Sequence, residues 1–223
     1  AMIAALALAG ASHSGEAGHV ALAQEMLQRV ELTQDALGCG PQWPAEVRDA
    51  AAVLMSRGTP GRVHNNCSGK HTGFLTLTQH LKAGPDYVDP AHPVQMACRE
   101  AFEEVTGETS PGFGIDGCSA PNFATTMTGM ARAMAFFAGA AGRGDAQSRA
   151  AAQLVEAMIA HPVLVAGEGR ACTLLMQAAK EPVALKTGAE GYFIAILPAR
   201  GLGVAVKIAD GATRASECVI AAL

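Results

Sequence analysis

The chain has 223 residues, half of them hydrophobic and 16% charged, and carries a net charge of -4. That length supports one substantial core, as a single domain or two closely packed lobes, and the composition excludes disordered and fibrous classes. With no Lys/Arg-rich run, the charge argues against a nucleic-acid surface and fits a small polar substrate.

In chain order, the apolar start Met2–Gly10 lacks a basic n-region and runs straight into polar residues. It reads as the end of a buried helix, not a signal sequence. Val20, Leu22, Met26 and Leu27 predict an amphipathic helix over 17–30, and a short helix fits 45–56. A polar block from Thr59 to Gly73 follows. Helices are predicted at 72–83, 91–106, 124–141 and 146–160, each bounded by Gly or Pro, with another starting near Arg170. After Lys180 the pattern becomes β-rich: Val183–Lys186, Tyr192–Leu197 and Leu202–Ile208 predict an antiparallel meander, closed by a helix over about 212–223. The expected class is therefore α/β: one domain over 1–223, mainly helical to about 180, with helices covering an antiparallel sheet at 181–223. No apolar run reaches the roughly 18 residues a membrane span needs, so the cytoplasm is the expected location.

Six cysteines, at 39, 67, 98, 118, 172 and 218, lack the spacing of a disulfide scaffold or zinc ribbon and read as reduced thiols. Cys39, Cys98 and Cys218 have no motif around them. His80, His92 and His161 fit surface or capping roles. His13, His19, His64 and His71 lack any His-Glu-x-x-His spacing. Trp43, between Pro41 and Pro44, reads as a packing anchor.

Five polar, glycine-rich blocks interrupt this apolar chain: residues 11–16, 64–71, 114–121, 167–170 and 186–191. Loops this rich in donors and acceptors are where sites are built. Lys186-Thr187-Gly188 ends a predicted strand and has the Lys-Thr-Gly pattern of the β-lactamases and penicillin-binding proteins. Ser12 needs a base to act as nucleophile or proton relay, and a desolvated Lys186 can serve; alternatively, Ser12 or Ser14 caps the helix beginning near Glu16. Cys67 and Lys70, three apart, face the same way if a helix begins there. With Cys118 they could hold zinc, although lysine must first lose its proton; buried free thiols are the other reading.

Together these blocks are similar to the bacterial L-asparaginases of the Rhizobium type. The resemblance rests on Ala-Ser-His-Ser-Gly-Glu (11–16), Cys-Gly-x-x-Trp-Pro (39–44), His-Asn-Asn-Cys-Ser-Gly-Lys-His (64–71), Gly-Ile-Asp-Gly-Cys (114–118), His-Pro-x-Leu-Val-Ala-Gly-x-Gly-Arg (161–170), Lys-Thr-Gly-Ala-Glu-Gly (186–191) and Gly-Leu-Gly-Val-Ala-Val-Lys-Ile (201–208). It implies a β-lactamase-like fold with a mainly helical lobe, a homodimer, and hydrolysis of L-asparagine to aspartate and ammonia. It also implies that Ser12 and Lys186 are a catalytic Ser-Lys pair, that Cys67, Lys70 and Cys118 bind zinc, that Asp116 belongs to the substrate site, and that Arg170 pairs with a substrate carboxylate.

The family also carries a Ser-x-x-Lys motif upstream of the Ser12 block, and residues 1–223 contain none. The domain is thus expected to lack its N-terminal part, which either precedes Ala1, comes from another chain, or is lost in a shortened, impaired product. In the β-lactamase-like arrangement that part would pair beside Leu202–Ile208, which is otherwise an open apolar edge. Two rival readings use the same residues. One is a related amidohydrolase acting on glutamine or a β-lactam; the other is a catalytically impaired zinc-binding homologue.

Overall fold

The computed structural model describes residues 2–223. Its described residues form ten α-helices and two small antiparallel sheets. The helical part runs α1 (Met2–Ala9), α2 (Ala17–Arg29), α3 (Val47–Arg57), α4 (Ser68–His80) and α5 (Pro93–Thr106). A hairpin of β1 (Phe113–Ile115) and β2 (Pro121–Phe123) follows, then α6 (Met127–Ala138), α7 (Ala146–Ala160), α8 (Pro162–Val165) and α9 (Ala171–Ala178). The meander β3 (Ala184–Thr187), β4 (Tyr192–Leu197) and β5 (Leu202–Lys207) leads into α10 (Thr213–Ala221).

Local chemistry sets these boundaries. Thr126 caps α6 by accepting from the Gly129 N–H, and Asp145 caps α7 by accepting from the Ser148 N–H. His92 caps α5, with Pro93 in its first turn, and Gly107 ends that helix in the left-handed region. The predicted helices and all three strands of the meander form. Three expectations are corrected. The fourth helix begins at Ser68 rather than 72, so the polar block supplies its first turn instead of a loop. Neither Ser12 nor Ser14 caps α2: Glu16 does, its side chain and that of His19 bonding each other's backbone N–H groups. Trp43 is 45% exposed and so is not a buried packing anchor; the buried residue there is Pro44. The β1–β2 hairpin was not predicted, because three-residue strands are too short to show an alternating pattern.

The meander has order β3-β4-β5, so β5 lies at an edge of the sheet. Alternation along the strands divides side chains between two cores. Ala184, Ile194 and Ile196 pack with α1, α6 and α7, while Leu185, Phe193, Ala195 and Leu197 pack with α9 and α10. Helices thus cover both faces. Lys186 stands opposite Ile194 and shares the α1–α6 face. A third core joins Leu8, Ala23, Leu27, Tyr87, Cys39, Cys67 and Cys118 under the hairpin. Among the described residues, no helix is long and apolar enough to cross a membrane.

α6 lies directly on β4 and β5, and Gly203 permits that approach. A Cβ at 203 would collide with the Met134–Ala135 backbone. Gly203→Val is therefore expected to destabilise the protein by about 3 kcal/mol or more. Gly114→Ala, in open space on the hairpin, should stay within about 0.5 kcal/mol of the parent. Denaturant unfolding of both variants checks the contrast.

Candidate active site

Two polar segments are brought together by the packing of α1 on α4. The Gly10–Gly15 loop leaves α1 and is pinned by backbone bonds from Ser12 N–H to the Val165 carbonyl (3.0 Å) and from His13 N–H to the Asn66 carbonyl (3.1 Å). The Asn66 amide Nδ2 donates to Ser12 Oγ at 3.3 Å. Cys67 occupies the N-cap position of α4, its N–H held by Asn65 Oδ1 (2.9 Å), and Lys70 follows in the first turn. Between them, Gly69 lies against Leu8. A Cβ there would strike the Leu8 carbonyl, so no other residue fits at this separation.

The hairpin delivers the third segment. Its turn is closed by bonds from Asp116 N–H to the Ala120 carbonyl (3.0 Å) and from Ser119 N–H to the Asp116 carbonyl (2.8 Å), with Ser119 left-handed at φ 74°. That turn buries Cys118 and half-buries Asp116. Cys67 Sγ, Cys118 Sγ and an Asp116 carboxylate oxygen lie within 4.8 Å of one another. The Cys118 thiol reaches Asp116 Oδ2 at 2.9 Å, and Lys70 Nζ lies 3.5 Å from the same oxygen.

Charge in this cluster is set by sharing. The Cys118 hydrogen bond, opposed by burial and aided by Lys70, lowers the Cys67 pKa to about 7. The same contact, reinforced by burial and opposed by His71, pushes Cys118 up to about 12. One thiol of the pair ionises readily and the other keeps its proton. Burial works against the Lys70 charge, but Cys67, Cys118 and Asp116 outweigh it and raise its pKa. Burial also opposes the Asp116 charge, yet the bonds from Cys118 and Lys70 lower its pKa.

Lys186 responds oppositely to Lys70. Burial lowers its pKa, and the charges of Cys67 and Cys172 only partly offset this. Its Nζ donates to the Thr187 carbonyl at 3.2 Å. Ser12 and Lys186 thus both border the Cys67 segment, but among the described residues no hydrogen bond joins them. Arg170 stands at the N-cap of α9: its side chain makes no hydrogen bond or ion pair among the described residues, and its charge acts on buried Cys172. Glu16 holds the Arg170 loop beside the Ser12 loop, accepting from Ser14 Oγ (2.5 Å) and from the Glu168 N–H (2.8 Å).

The donor set fits a zinc ion. Tetrahedral Zn–S bonds of about 2.3 Å put two sulfurs roughly 3.8 Å apart, which the 4.8 Å grouping accommodates. Lys70 meets the same volume as an ammonium and must release a proton to become a ligand. Two neighbours complete the surroundings, His71 at the end of the 64–71 block and Tyr87, which no motif contains. Buried His71 faces Cys118, and buried Tyr87 holds His71. His71 closes that block four residues after Cys67, the spacing that puts both on one helix face.

Behind Ser12, His13 and His19 stack with centroids 4.6 Å apart. His13 Nδ1 accepts from Gly15 N–H (3.1 Å), so its Nε2–H donates to Ser68 Oγ (3.0 Å). His19 Nδ1 accepts from Glu16 N–H (3.2 Å), and its Nε2–H donates to the Val163 carbonyl (2.8 Å). Burial, then the neighbouring His19 and His64, lower the His13 pKa to about 3; burial likewise lowers that of His19.

The linkage has a definite sign. Below about pH 6.5 the unfolded imidazole binds a proton that folded His13 does not, so stability is complete above that pH and falls toward pH 3. At about 1.4 kcal/mol per unit, lowering the pH from 6.5 to 5 should cost about 2 kcal/mol through His13, with His19 adding in the same direction. Urea unfolding at pH 7 and pH 5 measures the loss. His13→Gln should be less stable at pH 7 but show a flatter pH dependence.

The family model for L-asparaginase II matches residues 2–223. No curated protein matches the chain.

Proposed function

The chain belongs to the L-asparaginase II family, and from that premise we propose that it hydrolyses the side-chain amide of L-asparagine to aspartate and ammonia by a Ser-Lys acyl-transfer route on a β-lactamase-like framework. The observation that carries this reading is the convergence of the Ser12 loop, the Cys67–Lys70 turn and the Asp116–Cys118 turn beside a half-buried lysine on β3.

The two lysines divide the work by environment. Without metal, Lys70 keeps its charge among anions and gives up its proton only to a zinc ion; Lys186, with its pKa depressed, loses its proton more easily and suits the base. In the proposed reaction Lys186 takes the Ser12 hydroxyl proton as Oγ bonds to the amide carbon. That proton passes to the leaving nitrogen as the C–N bond breaks and ammonia departs. Water then adds to the acyl-serine carbon, giving a proton back to Lys186, and cleavage of the ester bond releases aspartate and restores the Ser12 hydroxyl. Backbone N–H groups of the glycine-rich loops are the available donors for the oxyanion. Asp116 suits the substrate ammonium, and Arg170 its α-carboxylate.

Cys67, Lys70 and Cys118 would hold zinc, which when bound supplies positive charge beside the acyl site to orient polar groups of the substrate. A homodimer in the cytoplasm belongs to the same reading; sedimentation of the purified protein tests the dimer.

Ammonia release from asparagine is the direct test, with glutamine and nitrocefin as the rival substrates. In the intact protein, Ser12→Ala and Lys186→Ala should each lower turnover by about 100-fold or more while leaving the zinc content unchanged. Near-normal turnover in either variant removes that residue from the mechanism. Because Lys186 acts when neutral, kcat/KM should rise with pH along a limb centred below the 10.5 of an ordinary lysine.

A further inference from the structure

His71 lies one helical turn after Cys67 on α4, so both side chains leave the helix on one face. It is wholly buried, and its ring is held edge-on by Phe74 at 5.6 Å and by Tyr87 at 5.5 Å.

The hydrogen bonds around it fix where its proton sits. The Gly38 N–H donates to the Tyr87 hydroxyl at 2.5 Å, and His71 Nδ1 lies 2.8 Å from the same oxygen. Tyr87 is 2% exposed, and His71 is the acceptor available for its phenolic proton among the described residues. The phenol therefore donates to Nδ1, which leaves the imidazole proton on Nε2. The opposite tautomer would strand the phenolic proton in the interior, a costly arrangement. Nε2–H is then a buried donor with no partner at hydrogen-bond distance among the described residues, and the group it faces is the Cys118 sulfur. A neutral thiol is a weak acceptor, whereas a thiolate is a strong one.

We propose that His71 is a positioning residue of the metal centre: its Nε2–H donates to Cys118 Sγ when that sulfur is a zinc-bound thiolate, and the Gly38–Tyr87 pair locks the ring in the required tautomer. This rests on the zinc reading above. It explains why a polar side chain is buried with one nitrogen satisfied and the other unmatched. Such outer donors orient a ligand and strengthen metal binding without touching the ion.

The experiment titrates zinc chloride against a chromophoric chelator in the purified protein and reads affinity, not turnover. His71→Phe keeps the ring packing and removes the donor; it should weaken zinc binding by about 10- to 100-fold. His71→Gln returns an amide N–H to the position and should recover part of that loss. Tyr87→Phe keeps the histidine but removes the lock, so affinity should fall several-fold. In that variant, imidazole nitrogen NMR should show a mixture of tautomers in place of a single Nε2–H form. If His71→Phe folds and binds zinc within twofold of the parent, the proposal is overturned. If that variant does not fold, unchanged affinity and an unchanged tautomer in Tyr87→Phe overturn it instead. A parent protein that binds no zinc removes the metal reading and this role together, whereas zinc binding indifferent to His71 removes this role alone.

Discussion

The site depends on how closely α4 approaches α1 at Gly69. The Leu8 carbonyl occupies the place a side chain would take, so the two helices meet backbone to backbone. One residue pair thereby fixes two segments of the candidate site. The Ser12 loop begins at Gly10, directly after α1 ends, while Cys67, Lys70 and His71 surround Gly69 in and beside the first turn of α4. The backbone bond from the His13 N–H to the Asn66 carbonyl, and the Asn66 contact to Ser12, then hold the segments in register. Loops gain precision when both of their anchors are packed elements.

Around that contact the protein concentrates ionisable groups that water would otherwise separate. Two thiols, a carboxylate and two lysines influence one another inside a small, partly desolvated volume. Burial alone would disfavour every charge among them. Pairing offsets burial for Lys70 and Asp116 but not for Lys186, and this difference separates two chemically identical ammonium groups into a fixed cation and a potential base. The sulfur pair shows the same economy on a shorter scale, since one proton serves both atoms and leaves one sulfur ready to ionise.

The sheet contributes direction. Strand alternation sends Lys186 toward the α1–α6 face, and its neighbours Leu185 and Thr187 toward the other. A shift of one residue in the β3–β4 register would remove the lysine from the site altogether. The buried flanks Ala184 and Leu185, each packed into a different core, oppose that slip.

Much of this organisation is legible in the residues themselves. Hydrophobic periods locate most helices and all three strands of the meander, because a long amphipathic element repeats its signal. Polar blocks in an apolar chain mark the site, because donors and acceptors have little other reason to cluster there. The residues of the L-asparaginase II motifs are recognisable for the same reason. What the sequence could not supply is adjacency. The hairpin that brings Asp116 and Cys118 to Cys67 has strands too short to repeat a pattern, and the tie from Glu16 to the 167–170 loop joins segments more than 150 residues apart. His71 and Tyr87, 16 residues apart, carry no joint motif. Local periodicity determines which segments become helix or strand; only tertiary packing decides which buried polar atoms meet, because hydrogen bonds and charge coupling depend on distances that no spacing along the chain encodes.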